Sequence, residues 1–423
     1  MEEQLAKKDG EAKQDLAADH NRLAIRALET GPDPETAEFH YLQALKYEPD
    51  SATLHYNLGV LYDEFLDDRA QARNYYEGAL ACNPNYADAH TALCELCIDE
   101  DSQEEALEHA HKALELKPEN SRNLNNLGCI LVKFEKDYPK AIPLFEKAID
   151  AQPANTVALS NLADAYVQTG QPEEAASIYE EAMSLEPKNA LYCYQYAQIQ
   201  RHYFQDLEMA ETYYKKAIGL EPGELALYRS LRSMYAFDLH DDQKAVETLE
   251  AAAKQFPDDA ALLLEIAGIY DYQLGDFQQA KDCYERVVAL HPENRTAWTA
   301  LGVVSAEMLK DYERGLEAYL QVLELEPANL HANLNLGHLY FYRYQDPEQA
   351  LGYYEQALSL MKGSAEEQVY GGEMYLSLGI LYEQYLKDRY RAMEFYEKSI
   401  EIGNEELAKR KLLALYEEDL RIH

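Results

Sequence analysis

The sequence predicts an all-α solenoid, a stack of helix pairs in which each pair packs on its neighbours. Three observations carry that expectation. Proline recurs at a nearly fixed interval, at Pro49, Pro84, Pro118, Pro153, Pro187, Pro222, Pro257, Pro292 and Pro327, in steps of 34 or 35 residues. Between the prolines, apolar residues fall at spacings of three and four, which gathers them on one face of a helix. Small residues also recur at fixed offsets from aromatic ones. A period of this length marks a repeat architecture. It lets 423 residues fold without one large core, because each unit buries its apolar face only against the next.

The elements follow in chain order. Residues 1–19 are polar and read as an N-terminal helix or tail. Residues 20–362 hold ten units, residues 363–403 an eleventh with an extended first helix, and residues 404–423 a capping helix. Each first helix carries an apolar residue followed by a small one, except that Arg232 follows Leu231. These pairs start at Leu23, Leu58, Leu93, Leu127, Leu162, Tyr196, Leu231, Ile266, Leu301, Leu336 and Leu378. One copy reads Leu162, Ala163, Tyr166, Ala175, Tyr179, Ala182, Pro187; another reads Leu58, Gly59, Tyr62, Ala72, Tyr76, Ala79, Pro84. The small residue is expected where the two helices approach closely, and the aromatic where space remains. Proline closes the unit because it cannot continue a helix and biases the residue before it away from one.

The helix starts are as regular as the ends. An aspartate stands four residues before the small residue that opens most second helices: Asp33, Asp68, Asp137, Asp206, Asp241, Asp276, Asp311, Asp346 and Asp388. A carboxylate there can accept from the free N–H groups of the first turn and suits the positive end of the helix dipole. Two units carry Ser102 or Gln171 instead, and these have the shorter turn. Two residues after most of the prolines stands a cap former for the first helix: Ser51, Asn120, Asn155, Asn189, Asp259, Asn294 or Asn329. The array is interrupted once. From Leu336 to Leu378 the step is 42 residues and the expected proline is missing. Met361–Ser364 breaks the second helix there, Ser364 and Glu367 are spaced as a capping box, and Gly371 and Gly372 are expected to weaken the helix that follows. The segment reads as a tolerated insertion or as a hinge. Leu407, Leu412, Leu413, Leu415 and Tyr416 give the last helix an apolar face able to cover the open end of the stack.

This set of spacings resembles the tetratricopeptide repeat, a helix–turn–helix of about 34 residues. The likeness covers nearly the whole chain. It departs from the family by one extra residue in nine inter-helix turns, and Trp298 is the one copy of the family's frequent early tryptophan. The resemblance implies a right-handed α-solenoid superhelix of about eleven repeats with a C-terminal capping helix. It also implies a non-enzymatic scaffold that binds a peptide segment of a partner protein in its concave groove. A structural subunit that associates through its convex face or its ends is the alternative.

In the family the first helix of each unit lines the groove. That register places Asp63, Glu64, Glu95 and Asp99 inward in units two and three, Arg122, Asn125 and Lys133 in unit four, and His331, His338, Phe341 and Tyr342 in unit ten. Tyr194, Arg201, His202, Arg229, Phe237 and Tyr272 face inward in units six to eight. Arginine and aromatic side chains carry much of the energy at interfaces, so units six to ten are the expected partner site. Asn57, Asn126, Asn161 and Asn335 precede the leucine of their units. An asparagine there can donate to and accept from a peptide backbone, although Ala92, Gln195, Ser230, Glu265 and Ala300 interrupt the row. The candidate binding residues are Asn57, Arg122, Asn126, Asn161, Tyr194, Arg201, Arg229, Phe237, Tyr272, His338 and Tyr342. The Lys/Asn/Arg clamp that some co-chaperones of the family use for a C-terminal carboxylate is represented only by the fragment Arg122, Asn125, Asn126.

Charge narrows the partners. With 77 acidic against 38 basic residues, the net charge is −39. Nucleic acid and anionic membrane would be repelled, whereas a basic protein or peptide would be attracted. No apolar run reaches the roughly 18 residues of a membrane span and the N-terminus lacks a signal-peptide core, so a cytoplasmic location is expected. The six cysteines are scattered through helices, as reduced thiols are. Cys94 and Cys97 occupy packing positions, and no further ligands at zinc spacing accompany them. No catalytic constellation, metal site or cofactor is expected, and the oligomeric state is left open.

Overall fold

The structure, a computed structural model, describes residues 2–31, 33–363, 365–403 and 405–422. Among them are 23 α-helices and no strand, an all-α solenoid of helical repeats. Odd-numbered helices open the units and even-numbered ones close them. The first five units are α1 (Glu2–Glu29) with α2 (Pro34–Tyr47), α3 (Ala52–Glu64) with α4 (Arg69–Cys82), α5 (Ala87–Asp99) with α6 (Gln103–Leu116), α7 (Ser121–Ile130) with α8 (Tyr138–Ala151), and α9 (Thr156–Gln168) with α10 (Pro172–Leu185). Then come α11 (Ala190–Ile199) with α12 (Leu207–Leu220), α13 (Leu225–Ser233) with α14 (Asp242–Ala253), and α15 (Ala260–Gly268) with α16 (Phe277–Leu290). The last are α17 (Arg295–Val303) with α18 (Tyr312–Leu325), α19 (Leu330–His338) with α20 (Pro347–Met361), and α21 (Glu366–Gln384) with α22 (Arg389–Glu401), followed by α23 (Glu405–Ile422). The chain packs as two compact units, one up to Glu221 and one from Pro222 onward. Helix α1 runs without a break through the boundary expected at residue 19.

The pairing of small and aromatic residues has a simple steric cause. A Cβ added at Gly59, Gly128, Gly302, Gly337 or Gly379 would lie 2.4–2.6 Å from the ring of Tyr76, Phe145, Tyr319, Tyr354 or Tyr396, respectively. The ring from the second helix therefore slides under the first helix where no side chain stands. These five rings are buried, at no more than 2% exposure.

The turn aspartates cap as the sequence predicts, whereas Ser51, expected to cap α3, makes no side-chain cap bond. Each of the nine turn aspartates accepts from the backbone N–H three residues on, at 2.9–3.3 Å. Ser102 and Gln171 make no such bond. The extra turn residue also has a structural account. Every one of those aspartates donates its N–H to the carbonyl six residues back, at 2.8–3.1 Å, whereas Ser102 and Gln171 donate to the carbonyl five back. Widening the last turn of the first helix absorbs the residue. In α7, α11, α13, α15, α17 and α19 that turn is a π turn, ending at Glu135, Phe204, Asp238, Leu274, Met308 and Tyr344. The residue before the aspartate then takes a left-handed conformation, as at Lys136, Gln205 and Lys310 (φ 54–60°).

The position of the family's early tryptophan does one job with several residue types. Trp298 Nε1 donates to the Pro292 carbonyl at 2.8 Å. His55, His90, Tyr228 and Asn333 bond in the same way to the carbonyls of Pro49, Pro84, Pro222 and Pro327. A ring or amide N–H or a phenol O–H serves equally to tie the start of each unit to its first helix.

At the insertion, Ser364 of the expected capping box lies outside the described residues. Glu367 accepts from the Gly363 N–H at 2.7 Å. Gly371 and Gly372 do not interrupt α21. The Gly372 carbonyl accepts from Ser399 Oγ at 2.8 Å, and an added Cβ at Gly371 would stand 3.1 Å from Ile402. These glycines let α22 approach closely, and that packing offsets their poor helix propensity.

Candidate partner-binding groove

The floor of the groove is built from the second helices. Their tyrosines pass beneath the small residues and bring their hydroxyls toward the inner face. Tyr76 donates to Asp63 at 3.2 Å, Tyr179 to Asp164 at 2.5 Å, Tyr214 to Gln198 at 2.8 Å, Tyr284 to Asp271 at 3.3 Å and Tyr396 to Glu383 at 2.5 Å. Burial, with the carboxylate beside each phenol, pushes Tyr76, Tyr179, Tyr284 and Tyr396 far above the usual phenol range. Burial raises Asp164 and Asp271, and the tyrosine bonds oppose that shift.

In the compact unit up to Glu221, the inward polar side chains bond to one another across repeats. Asn57 donates to Asn21 at 3.0 Å, Asn126 to Glu95 at 2.9 Å and Asn161 to Asn125 at 2.8 Å. Arg122 grips Glu95 with two nitrogens, its Nε at 2.6 Å. Asp99 pairs with Arg69 at 3.1 Å and Lys133 with Asp101 at 2.7 Å. Gln198 donates to the Tyr194 hydroxyl at 2.6 Å and accepts from His202 at 3.0 Å. Tyr194 and His202 line a cavity of about 650 Å³ with Asp164, Tyr179 and Val132, and half-buried Arg201 sits in the π turn beside it.

In the compact unit from Pro222 onward the inner face differs. Arg229 and Arg232 both reach Glu265, at 3.4 and 2.6 Å. Beyond them aromatic rings stand out into solvent. Phe237 is 66% exposed and Tyr272 79%, each on a π turn. Tyr272 borders a cavity of about 560 Å³ that includes Thr299, Met308 and His331. Met308 also borders a second cavity of about 770 Å³, with Tyr319, His338, Tyr342, Tyr370 and Glu373. A third, of about 360 Å³, shares His338, Tyr370 and Glu373 and extends to Ile402. The ring of His331 meets Tyr370 edge-on, with centroids 5.0 Å apart. The three pockets therefore follow one another along the first helices of units eight to eleven.

This stretch also holds buried polar atoms whose hydrogen bonding is incomplete. Nε2 of His338 is buried without a hydrogen-bond partner, and the buried hydroxyls of Tyr319 and Tyr354 make no bond of regular geometry, Tyr319 standing beside Asn335 and Glu307 and Tyr354 beside Ser377. Leaving such an atom unpaired costs about 1–3 kcal/mol. His338 Nδ1 lies 3.8 Å from Glu373, and Tyr342 shares a 2.8 Å bond with Ser377. Burial holds the His338 imidazole below its usual range, with Glu373 opposing. Sequence reading named His338 and Tyr342 but missed Tyr319, Tyr354, Glu307 and Glu373. Register could have suggested Glu307 and Glu373; only packing reveals the incompletely bonded hydroxyls.

Nucleophilic and metal chemistry find little support. Burial pushes Cys94 up to about 12 and Cys129 and Cys283 to about 11, so these thiols stay protonated near neutral pH. No group of three or more His, Cys, Asp or Glu stands together as a metal would require among the described residues. No helix among them is long and apolar enough to cross a membrane.

The fold and its inner face define a helical-repeat binding protein. Family models of the tetratricopeptide repeat match residues 52–86, 135–199, 190–224, 267–312 and 372–404. The chain carries tetratricopeptide repeats over these stretches, and proteins built from this repeat are generally protein–protein interaction scaffolds that bind protein or peptide partners. It is 26% identical over 150 residues to the tetratricopeptide repeat-containing protein trd-1 of Caenorhabditis elegans, covering 35% of this chain and 18% of that one. It is 26% identical over 182 residues to the protein O-mannosyl-transferase TMTC3 of Homo sapiens, covering 39% of this chain and 20% of that one. The chain thus spans about a fifth of these relatives. Among solved structures, the type IV pilus biogenesis factor PilW aligns over 49% of this chain and 94% of its own, at 22% identity and a TM-score of 0.43.

Proposed function

We propose that the chain is a non-enzymatic scaffold that holds an extended segment of a partner protein along the first helices of units seven to eleven. The observation that carries this reading is the row of large exposed aromatics and linked cavities there, with Phe237 at 66% and Tyr272 at 79% exposure. Rings held on a rigid helical frame lose little freedom on binding and supply large contact area. The side chains of the first six units already bond to each other. The net charge of −39 favours a basic segment and speeds its arrival.

The test uses immobilised libraries of extended nine-residue peptides with basic, neutral or acidic composition, and compares wild type with F237A/Y272A. Wild type should retain the basic library, and the variant should lose most of that retention with unchanged helical content. Equal retention by both proteins would move the interface away from these rings, toward an outer face or an end used in assembly.

A further inference from the structure

The pocket between units nine and eleven has a chemistry of its own, and reading it rests on the scaffold function proposed above. Its walls are acceptors and ring faces. Glu307 and Glu373 both line it, and among the described residues neither carboxylate has a lysine or arginine within ion-pair distance. Tyr319 also lines it, only 1% exposed, its hydroxyl standing beside Glu307 and Asn335 without a hydrogen bond of regular geometry. The Nδ1 side of His338 faces Glu373 at 3.8 Å, and the tautomer that carries its proton on Nδ1 leaves Nε2, which is unpartnered, as an acceptor. Tyr342 and Tyr370 supply aromatic surface.

The two cations of the lining are engaged elsewhere. Lys310 donates to the carbonyl of Glu307, and the Arg343 guanidinium lies 4.5 Å over the Tyr312 ring. Arg343 also shows that a guanidinium can rest on a tyrosine face in this lining. An anionic ligand would meet two uncompensated carboxylates. A cation would meet two carboxylates, a hydroxyl oxygen, an imidazole lone pair and electron-rich ring faces, all of which attract it. Because burial disfavours the charged imidazole, His338 does not oppose the cation.

We infer that this pocket receives the cationic side chain of a basic partner segment, a lysine or arginine that anchors the segment in the groove. Glu307 and Glu373 neutralise its charge, Tyr319 and His338 Nε2 accept its N–H groups, and Tyr342 and Tyr370 cover its stem. The incompletely bonded hydroxyl and the unpaired imidazole nitrogen are then groups kept for the ligand, tolerated in the free protein at a cost in stability.

The experiment measures retention of positional peptide libraries by the full chain. Each nine-residue library is random except at its centre, which is fixed as lysine, arginine, norleucine or glutamate. Wild type should favour the lysine or arginine centre over norleucine by about tenfold, and the two arms show which cation fits better. E307Q/E373Q and Y319F should each erase most of that preference. E104Q/E108Q removes the same charge from α6 and should keep it. Y319F should melt close to wild type, because the hydroxyl it removes makes no hydrogen bond of regular geometry. The inference is overturned if wild type binds all libraries alike, or if the preference survives both groove variants; the scaffold reading would still stand. Retention of no library at all would sink both.

Discussion

The two compact units are built from the same repeat yet treat their inner faces in opposite ways. Up to Glu221, asparagines, acids and arginines of successive repeats bond to each other, as in Asn161 with Asn125 and Asn126 with Glu95. From Pro222 onward, rings stand free and Tyr319, His338 and Tyr354 keep buried polar atoms without regular hydrogen bonds. The two share the ring-under-glycine packing and differ in side-chain pairing and in two turns, since the uncapped Ser102 and Gln171 both lie before Glu221. A repeat array can thus vary the pairing of its inner side chains from one stretch to the next.

The largest expected effect tests the self-paired half. Glu95→Ala leaves the buried Asn126 amide and Arg122 without their acceptor, and should destabilise the adjoining repeats by about 1–3 kcal/mol. Hydrogen exchange across α5 and α7 would read it, and unchanged protection there would mean that the cross-repeat bonds contribute little.

Acid should also weaken that half. His90 Nε2 donates to Pro84 at 3.0 Å, so its bare Nδ1 accepts from His109 Nδ1 at 2.9 Å. Burial, then the neighbouring His90, hold His109 below its ordinary value of 6.5, while Glu108 and Glu105 oppose and Arg73 adds to the shift. The unfolded chain therefore binds the proton more readily. Stability is complete above about pH 6.5 and is lost as pH falls below it. Protection of α5 and α6 should drop as pH falls below about 6.5, and His109→Phe should flatten the profile. A profile identical in wild type and variant would remove this pair from the explanation.

On the open half, F237A/Y272A should change stability by no more than about 0.5 kcal/mol while weakening peptide binding about tenfold. Calorimetry beside a binding titration separates the two readouts, and a large fall in melting temperature would show these rings to be core. Raising salt should slow association of a basic peptide while its dissociation changes less. A stopped-flow on-rate independent of salt would limit the charge of −39 to a role in solubility. The smallest effect belongs to the turns. Gln205 holds φ 54° where Gly275 stands in another unit, so Gln205→Gly should stabilise by roughly 0.5–1 kcal/mol, visible in a melting curve.

Much of this was legible in the chain. The nine turn aspartates cap as their spacing predicts, and the small residues sit where tyrosine or phenylalanine rings pass. The inner asparagines were legible in position but not in use. Asn57 and Asn161 bond to Asn21 and Asn125, each 36 residues earlier, so a polar residue one repeat back was a usable signal. The π turns were foreshadowed by the extra residue, but where it would be absorbed was not.

The sequence by itself determined the repeat, its helix boundaries and its acidity, because capping, periodicity and charge are local or additive properties. Only the tertiary structure decided which inner groups are already paired and which are left open. Whether a tyrosine hydroxyl bonds a carboxylate squarely, as Tyr179 does Asp164, or stands beside one without a regular bond, as Tyr319 does beside Glu307, depends on distances between side chains of different helices. Those distances are set by packing, which the one-dimensional pattern does not contain.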